Sequence, residues 1–358
     1  MVYGEFVMKP VAICKNDKIF KHSTQWTDEW IAYCEKNSIP YETVDCYHYD
    51  IISKLPRYSA LLWNFSNFVI SDLMEARNIL NIASAKGLAV FPDYNTSWHF
   101  DDKIAETYAL QSVSAPIPKA WVFYDYGECV GWLKAGAEYP LVAKLRCGSG
   151  ANNVKLLKNR RQAVRYAGRM FASGYNPTPS FIYKAYSKAQ SSKSLKAAVS
   201  RIKKIPEFLN TRAHAKKMPI EKGYCYFQEF IKNEGYDIKI AVVGDKLSFL
   251  SRSVRKGDFR ASGGGDIGYS KELVTEQIIS SAFEAYDKLG LECVGFDYVA
   301  DKNTGEGKII EMCYGFDYKA IMGAGGYWDR NRVWHSEPLN VPAEIMKNIM
   351  EKISSGER

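Results

Sequence analysis

Two acidic residues fourteen positions apart, Asp297 and Glu311, have the type and setting to share a divalent cation. Asp297 lies in VGFDYV (294–299) and Glu311 in KIIEMC (308–313), with a turn signal, Asn303-Thr304-Gly305, between them. Short β-branched and aromatic runs around such a turn predict two adjacent antiparallel strands. Each strand carries one carboxylate out of an otherwise apolar run. Burying an isolated carboxylate costs several kcal/mol unless a cation or hydrogen bonds compensate. A shared metal is one resolution; a pair of solvent-facing acids is the other, and these two residues alone leave both open. Hard oxygen donors suit Mg2+, which keeps waters and bridges to phosphates. Mn2+ is the alternative ion.

Three further segments carry chemistry suited to a nucleotide. Lys144 stands in LVAKL, directly before Gly148-Ser149-Gly150. An ammonium in an apolar strand must snorkel or meet an anion, and a glycine turn exposes N–H groups that close over phosphates. The pattern Gly-x-x-x-x-Gly-Lys-Ser/Thr is absent, and an ordinary hairpin is the alternative. Gln228, Glu229, Phe230 and Ile231 lie in YFQEFI, followed by Asp237. Such a strand offers main-chain groups to a nucleobase edge and a nearby acid to ribose hydroxyls; read alone, it is also a strand ending in a polar turn. Arg252, Arg255 and Arg260 fall within SRSVRKGDFRASGGG (251–265). Arginine forks suit phosphate oxygens, and a solvated basic hairpin is the alternative.

The elements that must position these residues follow from periodicity. Strands are expected at 11–14, 41–46, 60–65 and 88–92, with helices at 27–37 and 71–86. Alternation of this kind implies an α/β fold, a parallel sheet with helices on its faces. Ligands gather at the carboxyl ends of such strands, so His22, Ser23, Trp26 and Asn64 are candidate substrate contacts. A capped helix start and a core Trp26 is the competing reading. A helix is expected at 101–112, strands at 140–145 and 155–158, and a helix at 161–173. Residues 175–222 interrupt the rhythm and read as a helical insertion. Strands follow at 224–231, 237–243 and 246–252, then a helix at 271–289 and the acidic strand pair. Tyr327 and Trp328 belong to an aromatic tail suited either to sugar rings or to packing.

Composition excludes some classes. The hydrophobic fraction of 46% and charged fraction of 25% are those of an ordinary globular chain. No apolar run approaches the roughly 20 residues of a membrane span, and Glu5 and Lys9 interrupt any signal-peptide core. Eight scattered cysteines form no Cys-x-x-Cys pair, which points to reduced thiols in a cytoplasmic protein. Residues 184–222 hold eleven Lys or Arg against two Glu, so this segment accounts for the entire net charge of +8. It fits an anionic partner or peripheral contact with a membrane surface. No nucleic-acid module is present.

Taken in order, PLVAKLRCGSGANNV, YFQEFIKNEGYDIKIAVVG, SRSVRKGDFRASGGG, GLECVGFDYV and KIIEMC resemble the ATP-grasp superfamily, and within it the RimK-like carboxylate–amine ligases. The similarity covers about residues 95–320. It implies an N-terminal α/β domain at 1–95, a small ATP-grasp subdomain with a glycine-rich lid at 96–175, a basic insertion at 176–222 and a C-terminal subdomain at 223–345. By resemblance, Lys103 and Lys144 hold ATP, Glu229 and Phe230 hold adenine, and Asp237 is the ribose-side acid. Arg260 faces the phosphates, and Asp297 and Glu311 bind Mg2+. The chain departs from the pattern at Cys313, where an asparagine ligand is usual, at Lys239, a frequent arginine, and at Ser262, a common asparagine.

The resemblance implies a two-step ligation. A carboxylate takes the γ-phosphoryl group of ATP as an acyl phosphate, and an amine displaces phosphate to give an amide and ADP. A subgroup associated with bacterial surface polysaccharides suggests a uronic acid as acceptor. An amino-acid or peptide ligase is the alternative, and a non-catalytic ATP-binding protein is the alternative of a different class.

Overall fold

In the computed structural model, residues 8–15, 24–67, 69–148, 153–177, 219–254 and 266–356 are described. Three sheets organise them. The first contains β1 (Val11–Cys14), β2 (Tyr41–Val44), β3 (Ala60–Leu62) and β4 (Ala89–Phe91), all parallel, in the order β2-β1-β3-β4. Its helices, Thr24–Lys36 and Ile70–Ala85, lie where the sequence pattern places them. The second sheet is antiparallel. It joins β5 (Ala120–Phe123), β6 (Leu141–Lys144), β7 (Val154–Leu157) and β8 (Cys225–Glu229) in the order β5-β8-β6-β7.

The third sheet has seven strands. β9 (Tyr236–Val243) and β10 (Lys246–Ser253) form its centre with β12 (Cys293–Ala300), and β13 (Gly307–Cys313) is one edge. β11 (Ile267–Gly268), β14 (Tyr327–Trp328) and β15 (Trp334–His335) extend the side of β10. Side chains alternate between faces along a strand, and here the alternation separates core from chemistry. Val294, Phe296 and Tyr298 of β12 pack with Ile238, Ile240 and Phe249 against the helix Glu276–Leu289. Cys293, Gly295 and Asp297 take the other face.

That second face joins the first sheet. Ala241, Val243, Leu250 and Cys293 share one continuous core with Val11, Ile13, Leu61, Trp26 and Trp30. Gly295 allows the approach: a Cβ there would lie 2.8 Å from the Phe316 ring. The C-terminal helix Val341–Ser355 completes this core with Val341, Ile345, Met346 and Ile349.

Sequence patterns missed that helix, and also β5 and the helix Tyr126–Ala135. The helix expected from 271 begins at Glu276, because Thr275 caps it by accepting from the Ile278 N–H at 3.3 Å; Lys271–Leu273 is a single 3-10 turn. All eight cysteines are free thiols. Among the described residues no helix is long and apolar enough to cross a membrane.

Candidate functional site

Asp297 and Glu311 are direct cross-strand partners on β12 and β13, and Lys239 of β9 is Asp297's partner on its other side. Directly paired residues of an antiparallel sheet share a face, with Cβ atoms about 4.5–5.5 Å apart. Arg252 of β10 is likewise opposite Asp237 of β9. Register alone therefore gathers five charged side chains on one face of four strands, with Arg252 and Asp237 two residues along from the row of Glu311, Asp297 and Lys239.

The row is internally paired. Lys239 Nζ lies 2.5 Å from Asp297 Oδ1, and Arg252 Nη2 lies 3.1 Å from Asp297 Oδ2. Arg252 is anchored from behind by Asp237, which has no exposed surface; its Nε donates to both carboxylate oxygens at 3.1 Å, and Nη2 pairs with Oδ2. Burial alone would raise the Asp297 carboxyl, but Lys239 and Arg252 together hold it below its ordinary range. Burial wins at Asp237, pushing its carboxyl up to about 6 against the pull of Arg252.

The second sheet and the helix Lys103–Ser112 close on the edge strand β13. Asp102 caps this helix, accepting from the Ile104 and Ala105 N–H groups at 3.2 and 3.1 Å. Lys103 Nζ lies 3.2 Å from Glu311 Oε1 and donates to the Gly148 carbonyl at 2.7 Å. Burial opposes its charge, but Glu311, Glu106 and Asp101 outweigh burial and hold the ammonium well above its usual range. The pairing of β12 with β13 skips Ile310, a β-bulge, and Lys144 Nζ donates to the Ile310 carbonyl at 2.9 Å. Burial lowers Lys144 to about 8, with Glu311 offsetting part of the effect.

Two acids here escaped sequence reading. Glu106 is buried, and its Oε2 accepts from the Met312 N–H at 3.3 Å. Asp101 has a left-handed backbone (φ 59°) and accepts from the Gly148 N–H at 3.0 Å and from Asn67 Nδ2 at 3.2 Å. Glu106 follows Lys103 by three positions, one helical turn, and that spacing was the available signal.

Other expected residues fall as follows. Gln228 is buried on β8, Glu229 ends that strand, and Phe230 and Ile231 begin the crossing to β9. Glu229 is tied to Lys119: its N–H donates to the Lys119 carbonyl at 2.8 Å, and its Oε2 accepts from the Lys119 N–H at 3.2 Å. Asp237, expected beside ribose, is filled by Arg252. Asn64 sits against Gly315 in the loop after β13: a Cβ on Gly315 would lie 3.9 Å from Asn64 Oδ1.

Trp26 is a core residue, stacked on Phe91 at 6.2 Å with Nε1 donating to the Phe316 carbonyl at 3.2 Å. Tyr327 and Trp328 are also buried; Trp328 packs on Phe249 and pairs with Leu247, five residues along β10 from Arg252, or roughly 16 Å. His22, Ser23, Ser149, Gly150, Arg255, Arg260 and Ser262 lie outside the described residues, as does the basic segment at 178–218.

The donors fit a magnesium ion. Asp297 and Glu311 offer hard carboxylate oxygens from adjacent strands, and four cationic side chains stand close enough to neutralise phosphates. Among the described residues no group of three or more His, Cys, Asp or Glu is arranged to hold a metal. Cys313 does not fit as a ligand, because burial pushes its thiol up to about 12 and keeps it neutral.

No family model matches this chain. Among curated proteins it is similar to the alpha-aminoadipate–LysW ligase LysX of Saccharolobus solfataricus, 24% identical over 243 residues that cover 66% of this chain and 72% of that one. Among solved structures, D-alanine–D-alanine ligase from Bacillus anthracis aligns over 98% of both chains with a TM-score of 0.57 at 14% identity. A RimK domain ATP-grasp protein from Sphaerobacter thermophilus aligns over 95% of this chain and 99% of its own, with a TM-score of 0.52 at 13% identity. Aligned along nearly its whole length with these structures, the chain shares their fold, that of the RimK domain ATP-grasp protein among them.

Proposed function

We propose that this protein is an ATP-dependent, ADP-forming ligase that joins a carboxylate to an amine. The observation that carries the reading is the cross-strand pair Asp297–Glu311, ringed by Lys103, Lys144, Lys239 and Arg252 where the second and third sheets meet. Buried carboxylates already neutralised by cations make a site that exchanges counter-ions when a metal–phosphate complex arrives.

In the first step a substrate carboxylate oxygen attacks the γ-phosphorus of ATP, and the bond to the β–γ bridging oxygen breaks to release ADP. In the second, the amine nitrogen attacks the acyl carbon of the resulting acyl phosphate. The C–O bond to phosphate breaks, and the nitrogen loses a proton. Such chemistry is driven by positioning and charge neutralisation. Lys103 and Lys144 hold the phosphates from the side of the small sheet. Arg252, fixed by Asp237, faces the charge that develops on the transferring group. Magnesium held by Asp297 and Glu311 supplies neutralisation of the phosphate oxygens.

For the substrates, we favour an amino acid or peptide over a uronic acid. The sugar reading drew on the aromatic tail around Tyr327 and Trp328 and on the loop that ends at Trp26, and the rings of these three residues are taken up by packing. The name of the LysX relative, a ligase of alpha-aminoadipate, also favours an amino acid. Cys313 favours a second reading, an ATP-binding protein without catalysis. Incubation with ATP, Mg2+ and acid–amine pairs separates them. A ligase releases ADP over many turnovers only when both acid and amine are present, beyond the single equivalent that acid alone can give, and forms a product of their summed mass less water. Tight ATP binding without acid-dependent turnover would leave the binding protein.

A further inference from the structure

Each oxygen of the Asp297 carboxylate faces a different cation, Lys239 at Oδ1 and Arg252 at Oδ2. A divalent ion that takes this carboxylate meets the charge of both cations, and the repulsion is relieved by whichever is freer to withdraw. Arg252 is poorly suited to move. Its guanidinium is forked onto Asp237, a fully buried acid that would be left uncompensated. Lys103, across the site on Glu311, is similarly tied down, with Gly148 as a second acceptor. Lys239 differs from both: among the described residues its ammonium makes an ion pair with Asp297 alone. It is a point charge on a flexible four-carbon stem, so it can swing without disturbing β9.

We propose that Lys239 is the resident counter-ion of Asp297, yielding that carboxylate to the divalent cation and turning its own charge to the phosphoryl group that arrives with it. The inference rests on the magnesium–ATP reading above. In the metal-free protein Lys239 supplies the counter-charge at Oδ1, on the side of Asp297 that Arg252 does not pair. A bare divalent ion must displace this ammonium into a site already holding Arg252, Lys103 and Lys144, so it binds weakly. When the ion comes with phosphates, Lys239 exchanges one anionic partner for another. Metal and nucleotide therefore strengthen each other's binding, and by linkage the factor is the same in both directions. Lys239 thus acts first in positioning the metal ligand and then as a contact of the transferring group.

The test uses the full chain without nucleotide, titrated with Mn2+ while the free ion is followed by electron paramagnetic resonance. Lys239→Met should bind Mn2+ at least about tenfold tighter than the wild type, because the competing charge is gone. Lys239→Arg, which keeps the charge, should stay near the wild type. Adding ATP should tighten Mn2+ binding less in Lys239→Met than in the wild type. Lys239→Gln gives the same readout if the methionine variant fails to fold. Unchanged or weaker Mn2+ binding in a neutral variant with wild-type circular dichroism would overturn the proposal. Asp297→Asn separates it from the reading beneath: it should bind no Mn2+, and wild-type binding there would remove the metal site itself.

Discussion

Asp297 and Glu311 each engage cations from a neighbouring element, so neutral replacements test chemistry with little loss of packing volume. Asp297→Asn and Glu311→Gln should each abolish ATP turnover while leaving a folded protein, checked by ADP release and circular dichroism. Near-normal turnover in both would contradict the metal assignment. Lys144 gives a pH prediction. Burial lowers it to about 8, so its ammonium, which the phosphates require, is present below that pH and lost above it. Affinity for ATP should therefore fall as pH rises through about 8, and the fall should be absent in Lys144→Arg, whose charge persists. The two acids and Lys144 were legible in the sequence because each is a charge inside an apolar strand. Asp101 and Glu106 were not, since an acid near a helix start reads as a cap or a solvated face until the packing of another sheet buries it.

At the scale of elements, the edge strand β13 holds the site. Its outward groups find partners from other parts of the chain: the Ile309 N–H donates to the Pro116 carbonyl, Lys144 reaches the Ile310 carbonyl, and Glu106 accepts from the Met312 N–H. An edge strand with paired outward groups is protected from slippage, and the bulge at Ile310 supplies the freed carbonyl. Burial, with Glu311 adding to it, outweighs the pull of Lys103 and pushes Glu106 up to about 8. Glutamine keeps a side-chain oxygen that can accept from the Met312 N–H. Glu106→Gln should keep stability close to the wild type. Glu106→Leu should lose about 1–3 kcal/mol, the cost of leaving a buried N–H unpaired, measured by urea unfolding. Equal stability of the two variants would show that the contact is idle. Most strands were readable because a two-residue period survives in short runs such as VGFDYV. β5 was obscured by tryptophan and valine following a proline-rich connector. The bulge was invisible, because nothing in KIIEMC marks one residue as unpaired.

At the scale of the molecule, the first and third sheets share a core, and the C-terminal helix is part of it. Val341, Ile345, Met346 and Ile349 are spaced along one helix face and buried against that core. Their period was present in the sequence, but a helix at a chain end gives no hint of where it docks. Ile345→Ala should cost about 2–5 kcal/mol and lower the unfolding midpoint of the first and third sheets together. Separate transitions for the two would contradict a shared core. This packing also sets Asn64 beside Gly315, just past β13. The most direct measurement of the account is ADP release from ATP and Mg2+ with amino-acid or peptide acids and amines, run beside Asp297→Asn. The account predicts multiple-turnover release that requires both substrates, a product equal to acid plus amine minus water, and neither in the variant. Tight ATP binding with no acid-dependent release for any pair, or equal release from the variant, would contradict it.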